Sequence, residues 1–569
     1  MIGALRALLD GRGRTSEHRL AACVAALVFV LWIPALFGGF AWDDANNLVD
    51  GSRLKNGRAF FEVFVHDAMW SANMQQAVIG TYRPLSLASF VVDYFFLSLI
   101  PWNTTGSAAI YHLSSNLLHA AAAYCVCLAL LRWVPRRVAV ALTLLFAVHP
   151  VACEAVAWVN GRSEVFALIF GALAIRLVSY ANVSWTRAAL AGLMLFWSLM
   201  GKETGLTFLP MAVLFAGEAS RSAGPLSPMR RFLPALSTRV LITATVALAG
   251  YLGMRAMALS GNGPLPGLEA PEGLMRSASA LLLRAFQSVL VPTNLSVTYL
   301  YLWVKSLDTV DVTVAAFVFG ALVMVVAVTW VQGRRLATLG FVWWLISVLP
   351  ITLLAVRDWP GMQRWLYMGL PGFALFIYGL LCGRLPPRVP SLGAAVWFIA
   401  LFVPCQIGIQ IWRTSGTLFR QMTIDQPDEP FGWVSLSSAL LREGDYVAAE
   451  EAAREGGLHK PRGHNPWPFL AYALAMQERC DEAVHEVDME HPNEVMGSWV
   501  HYSLGYCFEN KKQPESAVAR YLKCVTEASC KTRHEYLTGS LATAQSATPS
   551  AAPSAAPSEA PSEAPSEAP

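Results

Sequence analysis

The chain has 569 residues, of which 55% are hydrophobic and 14% charged, with a mean hydropathy of +0.44. A soluble globular chain carries about 25% charged residues, so this composition excludes a soluble enzyme, a disordered scaffold and a disulfide-stapled secreted miniprotein, and points to a polytopic membrane protein. The formal charge of +3 is too small to indicate nucleic acid, and ten Cys without CxxC spacing indicate neither a zinc site nor a redox motif.

A spanning helix needs about 20 mostly apolar residues. Eleven stretches qualify: 19–38, 111–131, 138–151, 163–181, 186–201, 204–218, 239–259, 312–331, 336–355, 365–382 and 392–411, the third, fifth and sixth being short. Basic residues orient them. Arg6, Arg12, Arg14 and Arg19 precede the first; Arg132, Arg136 and Arg137 follow the second; Arg221, Arg230 and Arg231 follow the sixth; Arg334 with Arg335, and Arg384 with Arg388, come later. Eleven spans put all five clusters on one side, the cytoplasm, with residues 1–18 inside and everything after Trp412 outside. Leu85–Ile100 is apolar but contains Asp93 and follows Arg83-Pro84; counted as a span it would throw Arg132–Arg137 outward, so it reads as an interfacial or re-entrant helix. The first span is longer than a signal-peptide core and lacks a small-x-small cleavage site.

The expected fold is all-α: a helical membrane domain over 19–412, with large outer loops at 39–110 and 260–311, then an outer helical domain. Within the second loop, Leu281–Pro292 suits an amphipathic surface helix. After the last span Trp433, Leu436 and Ala449 recur as Trp467, Leu470 and Ala483, and Leu504 and Ala517 continue the series; Gly505, Phe508, Tyr521 and Pro461 add matches. The period of 34 is the tetratricopeptide length, which predicts three helix pairs over 428–535. Cys480, Cys507, Cys524 and Cys530 fall here; Cys507 and Cys524 lie on the two helices of one repeat and are candidate partners, with buried small apolar residues as the alternative. The tail at 543–569, built of Ala-Pro-Ser and Glu-Ala-Pro-Ser, is expected to be disordered.

Charged groups at membrane depth are expensive and default to functional hypotheses. Here they gather on the outer side. Asp43 and Asp44 follow the first span, with Asn46 and Asn47; Arg83 ends the same loop; His112, Asn116 and His119 share one face of the second span; His149 and Glu154 follow the third; Gly161, Arg162 and Glu164 enter the fourth; Lys202 and Glu203 cap the fifth; Arg357, Asp358 and Arg364 precede the tenth. Each has a bland reading: hydrated loop aspartates, helix ties for His112 and Asn116, a local cap at Lys202-Glu203, an interface anchor at Arg364. Together they suit a carboxylate that deprotonates a hydroxyl beside cations that hold a phosphate. The implied donor is a sugar on a lipid phosphate in the bilayer. The acceptor arrives from outside and is presented by the repeats. No metal site is evident, and metal dependence stays open.

The series Trp42-Asp43-Asp44, Tyr82-Arg83-Pro84-Leu85, Tyr111-His112, Asn116, Leu118-His119, Phe146-Ala147-Val148-His149-Pro150, Glu154-Ala155-Val156-Ala157-Trp158, Gly161-Arg162, Lys202-Glu203, Leu290-Val291-Pro292, Leu295-Ser296 and Gln363-Arg364-Trp365-Leu366-Tyr367 resembles the transmembrane and tetratricopeptide-repeat O-mannosyltransferases and their bacterial relatives, of the GT-C class. The resemblance covers nearly all of 30–530. It implies an inverting transfer from a polyprenyl- or dolichyl-phosphate sugar, mannose in the family, to Ser/Thr hydroxyls of an exported protein. The acid of the first outer loop maps to Asp43 or Asp44, one as base and the other positioning donor or acceptor. Arg162, Lys202, Arg364 and Arg83 are candidates for the donor phosphate, and His149, Glu154, His112, Asn116 and Glu203 for shaping the sugar and acceptor site. The short repeat array and the foreign tail favour a bacterial inner-membrane homologue with its repeats in the periplasm; the alternative is the endoplasmic reticulum. Sequons at Asn103, Asn182 and Asn294 do not discriminate. Competing readings are a transporter or flippase, a non-catalytic scaffold, and a ligase for a glycan or lipid polymer.

Overall fold

The computed structural model describes residues 14–44, 48, 52–68, 70, 81–99, 108–221, 237–259, 282–283, 285–292, 309–355, 363–382, 388–459, 465–492 and 496–546. Asn46, Asn47, Arg357, Asp358, Leu295, Ser296, Pro461, most of the loop 260–311 and the tail beyond 546 lie outside them. The chain divides into two compact units, Met1–Thr414 and Ser415–Pro569.

Every regular element among the described residues is helical. This is what a bilayer demands, since a helix satisfies its backbone polar groups within one segment. The first unit contains α1 (Arg14–Leu31), α2 (Pro84–Ser98), α3 (Ala109–Leu130), α4 (Arg136–Ala147), α5 (Ala152–Val156), α6 (Arg162–Val178), α7 (Trp185–Gly201), α8 (Phe208–Arg221), α9 (Thr238–Leu259), α10 (Thr309–Val331), α11 (Arg335–Ala355), α12 (Leu370–Leu381) and α13 (Arg388–Ile411). All eleven expected stretches are helical over most of their length. Among the described residues four helical segments, Ala109–Leu130, Thr238–Leu259, Gln363–Leu381 and Leu392–Ile411, are long and apolar enough by themselves to cross a membrane. The expected sixth and tenth stretches each begin as 3-10 turns, Glu203–Thr207 and Gln363–Gly369, before α8 and α12 take over. Those turns carry candidate site residues.

Contacts between helix ends sort the ends onto two faces. On one face Arg176 pairs with Glu17 at 2.6 Å, Arg136 donates to Ser16 at 2.6 Å, Arg132 to the Ser179 carbonyl at 3.1 Å, and Arg335 pairs with Glu218 at 2.8 Å. On the other, Gly39 N–H reaches the Arg413 carbonyl at 2.8 Å, Tyr82 N–H reaches Glu203 at 2.7 Å, and Arg364 meets Glu154. Helix α2 belongs to this second face along its length: Arg83 at its start pairs with Glu203, and Asp93 in its middle pairs with Arg162 and accepts from Ser114. One side of α2 packs on Leu48, Leu54 and Val63 of the first outer loop. The other exposes Val92, Phe95, Phe96 and Leu99.

Close helix contact in the unit uses small residues. A Cβ on Gly340 of α11 would stand 2.3 Å from the backbone nitrogen of Phe376 and 2.6 Å from the Gly372 carbonyl of α12, so the two backbones touch there. Residues 285–290 are helical, with Ala285 and Val289 buried and Gln287 exposed, in the amphipathic pattern expected of Leu281–Pro292.

The second unit holds α14 (Ser415–Asp425), α15 (Pro430–Glu443), α16 (Tyr446–Leu458), α17 (Trp467–Met476), α18 (Cys480–His485, continued by a π turn Glu486–Glu490), α19 (Ser498–Asn510), α20 (Pro514–Leu522) and α21 (Ala528–Ser546). They form three successive helix pairs, α15/α16, α17/α18 and α19/α20, each packed on the next. The 34-residue period has a packing cause: Ala449, Ala483 and Ala517 are all 0% exposed, one on the second helix of each pair. Ser437 donates to the Ala449 carbonyl at 2.8 Å, a distance that a larger side chain between the helices would prevent. The disulfides correct the expected pairing. Cys480 joins Cys507 and Cys524 joins Cys530. Cys507 faces the preceding pair at the start of α18, whereas Cys524 lies in the turn after α20 and closes locally onto α21.

Candidate active site

The acid pair sits just beyond the 3-10 turn Ile33–Phe37 that ends the first span. Trp42 takes φ +57°, a left-handed conformation that is costly for an aromatic residue. This turn sends the two carboxylates to different surroundings. Asp44 is 0% exposed; its Oδ2 accepts the N–H groups of Ala41 at 3.2 Å and Val159 at 3.4 Å, and its Oδ1 accepts that of Asn160 at 3.0 Å. It fastens the loop start to the turn 159–161. Asp43 is half-buried, and its Oδ1 accepts from the Asn160 side-chain amide at 2.9 Å. Burial pushes the Asp43 carboxyl above its usual range, while Asn160 and then Arg364 pull it back. Asp44 is pushed well above, by burial and then by the charge of Asp43, against its three backbone donors.

Gly161 makes this approach possible. A Cβ there would lie 2.5 Å from the Glu154 carbonyl and 2.7 Å from that of Ala155. The turn that presents Asn160 therefore rests directly on α5, which carries Glu154.

Arg364 acts on Asp43, and Lys202 lies in turn within the field of Arg364 and Arg83. Arg364 binds Glu154 twice, through Nη1 at 2.5 Å and its backbone N–H at 3.0 Å, and its guanidinium stands 4.4 Å from the Trp158 ring centroid. Trp158 and Trp42 stack at 5.4 Å. Lys202 pairs with Glu164 and lies 5.8 Å above the Trp365 ring. Arg83 pairs with Glu203 at 3.1 Å, and Glu203 also accepts the Tyr82 N–H. Burial first, then Arg83 and Arg364, push Lys202 down to about 8 against the pull of Glu164. The Glu164 oxygen not bound to Lys202 is buried without a partner. The cluster is charge-balanced: Arg83, Lys202 and Arg364 against Glu154, Glu164 and Glu203.

Arg162 lies within the field of Asp44 but makes its contacts elsewhere. It is 0% exposed; Nη1 pairs with Asp93 at 2.5 Å, Nε donates to Ser115 at 2.9 Å, and Nη2 donates to the Tyr111 carbonyl. All three nitrogens are engaged in joining α2, α3 and α6. His112 and Asn116 act as ties, His112 to the Gly39 carbonyl at 2.9 Å and Asn116 to the Phe29 carbonyl at 3.2 Å. His119 spans the Tyr367 hydroxyl and the Ala147 carbonyl. His149 accepts the Val151 N–H at Nδ1, so Nε2 carries the proton donated to the Val289 carbonyl at 2.9 Å, a neutral tautomer that positions the helix 285–290. Asn160 was not among the expected site residues, and Glu164 was among the outer charged groups without a role of its own. Asn160 carries no charge to mark it, although it directly precedes Gly161-Arg162. Among the described residues no three His, Cys, Asp or Glu gather in an arrangement suited to a metal ion.

No family model matches the chain. It is 25% identical over 268 residues to mouse (Mus musculus) protein O-mannosyl-transferase TMTC3, a match covering 42% of this chain and 28% of that protein. It is 31% identical over 195 residues to protein O-mannosyl-transferase Tmtc1 of Drosophila melanogaster, covering 33% and 22%. With protein O-mannosyl-transferase F38B6.6 of Caenorhabditis elegans it shares 24% identity over 383 residues, 64% of this chain and 51% of that one. The chain is similar to these protein O-mannosyl-transferases over part of its length. It spans between about a fifth and a half of the length of the family members it matches. A solved Archaeoglobus fulgidus oligosaccharyltransferase aligns at 12% identity with a TM-score of 0.27, over 82% of this chain and 58% of that one, a likeness on which no argument rests.

Proposed function

We propose that the chain is a membrane-embedded glycosyltransferase that moves a sugar, mannose by analogy with its relatives, from a polyprenyl-phosphate donor to Ser/Thr hydroxyls of exported proteins. The observation that carries this reading is the half-buried Asp43 carboxylate, held by Asn160 and acted on by Arg364, a cation that acts in turn on the buried Lys202. Asp43 is the base. Asp44, with both oxygens on backbone N–H groups, is the positioning residue.

In the reaction Asp43 takes the proton of the acceptor hydroxyl as its oxygen attacks C1 of the sugar. The C1–O bond to the lipid phosphate breaks, and its electrons remain on the phosphate oxygen. A single displacement inverts the anomeric centre. Lys202, Arg364 and Arg83 face the charge that develops on the leaving phosphate, and the donor phosphate replaces internal carboxylates as their partner. Glu154 holds Arg364 in place.

The two disulfides of the second unit support an oxidising compartment for it, in line with periplasmic repeats. Its three helix pairs are read as tetratricopeptide repeats that bind the acceptor protein. The test is transfer of radiolabelled mannose from polyprenyl-phosphate mannose to exported proteins by the purified full-length chain. Asp43→Asn is expected to lower transfer by about 10²–10⁴-fold with the fold intact; undiminished transfer removes the base.

A further inference from the structure

The face opposite the acid pair carries a cluster with no part in the proposed transfer. Tyr180 follows α6, and three guanidiniums surround its ring. Arg187 is 3.8 Å from the ring centroid, Arg132 4.1 Å and Arg176 5.8 Å. A fourth, Arg239, stands 5.6 Å from the ring of the exposed Trp185 and donates to the Val183 carbonyl. Among the described residues the carboxylate paired with this group is Glu17, bound to Arg176. The Tyr180 hydroxyl also draws on Arg176, whose other terminal nitrogen, Nη1, is buried without an acceptor at hydrogen-bonding distance and angle. A buried guanidinium N–H without an acceptor is costly, and positive charge exceeds negative by three to one at Tyr180 alone. The missing component is an anion with acceptor oxygens.

The surroundings indicate which anion. Arg187 lies in the first turn of α7, and Leu190 and Leu193 follow it on that helix, 44% and 46% exposed. An apolar surface of this kind accommodates acyl chains, directly beside cations at headgroup level. We infer that Arg132, Arg176 and Arg187, ordered around Tyr180, bind the phosphate of an anionic membrane lipid whose chains lie along α7. The site is separate from the transfer reaction and stands whether or not that reading holds.

The experiment uses the full-length protein, purified in detergent and stripped of lipid, then titrated with phosphatidylglycerol or phosphatidylcholine while retained lipid is counted by native mass spectrometry. Phosphatidylglycerol is expected to bind roughly tenfold more tightly than phosphatidylcholine. The preference should fall below about twofold in Arg132→Gln/Arg187→Gln, once two of the cations are removed. Equal retention of the two lipids by the unmodified protein, a measurement that needs no variant to fold, overturns the proposal. So does a preference that survives the double substitution. A third arm titrates inorganic phosphate; displacement of phosphatidylglycerol by equimolar phosphate would make this a small-anion site and also overturn the assignment to lipid.

Discussion

Asn160 donates its side-chain amide to Asp43 at 2.9 Å, while its backbone N–H goes to Asp44 at 3.0 Å. One residue thus fixes both acids, and it favours the ionised form of the first. Removing the amide should let burial push Asp43 further up. With Asp43 as base, transfer rises with pH as its carboxyl ionises, so Asn160→Ala should move the acid limb of the pH–rate profile to higher pH. The loss should be largest on the acid limb and shrink as the pH rises and the carboxyl ionises. The full profile is the measurement. An unchanged acid limb with uniformly lower transfer would assign Asn160 to folding alone.

Lys202 is expected to give the alkaline limb. Its ammonium is held near 8 by burial and by Arg83 and Arg364, so it loses its charge as pH rises through that value. Attraction for the donor phosphate then weakens and transfer should fall. Arg stays charged across this range, so Lys202→Arg, where the pocket accepts it, should move the falling limb to higher pH. Lys202→Met should lower transfer by about 10²–10³-fold, as for loss of one transition-state donor. It should also leave the buried Glu164 unpaired, and Glu164→Gln in the same chain should restore thermal stability without restoring transfer.

Arg162 and Arg364 should separate in the opposite way. Arg162→Gln leaves Asp93 buried without its partner, a cost of about 3–5 kcal/mol seen as a lower unfolding temperature in detergent. Asp93→Asn in the same chain should recover much of it. Arg364 is partly exposed at the acid pair, 11% by side chain. Arg364→Gln leaves the buried Glu154 only the backbone N–H of residue 364, so its stability loss should be recovered by Glu154→Gln in the same chain while turnover stays low. Turnover that returned together with stability would erase the distinction between a bundle tie and a site cation.

These contrasts mark what the sequence could reveal. The helices of the first unit were legible because long apolar runs have one solution in lipid. The acid pair was legible because charge stands out against such runs. Asp93 stood out in the apolar stretch Leu85–Ile100, but its partner was not legible: Asp93 and Arg162 are distant in sequence, and nothing local joins them. Four cations of similar setting therefore read alike, although Arg162 is saturated by Asp93, Ser115 and Tyr111 while the other three face the cluster. Asn160 was missed because an uncharged loop amide has no pattern to betray it. The helix pairs showed through the recurring Ala449, Ala483 and Ala517. The disulfides did not, since a 34-residue period places cysteines on helices without saying which neighbour each faces.

The disulfide pairing makes its own ordered prediction. Cys480–Cys507 closes a sequence separation of 27, and Cys524–Cys530 one of 6. A longer closed loop removes more entropy from the unfolded chain, so on that model the first bond contributes about 3.5 kcal/mol and the second about 2 kcal/mol. Calorimetry of the full-length protein should show the second unit's transition falling further in Cys480→Ser/Cys507→Ser than in Cys524→Ser/Cys530→Ser. Peptide mapping without reductant should recover the 480–507 and 524–530 linkages from exported protein. Free thiols at all four positions in freshly isolated membranes, trapped by alkylation before lysis, would place this unit in a reducing compartment and reverse the orientation argued from the arginine clusters.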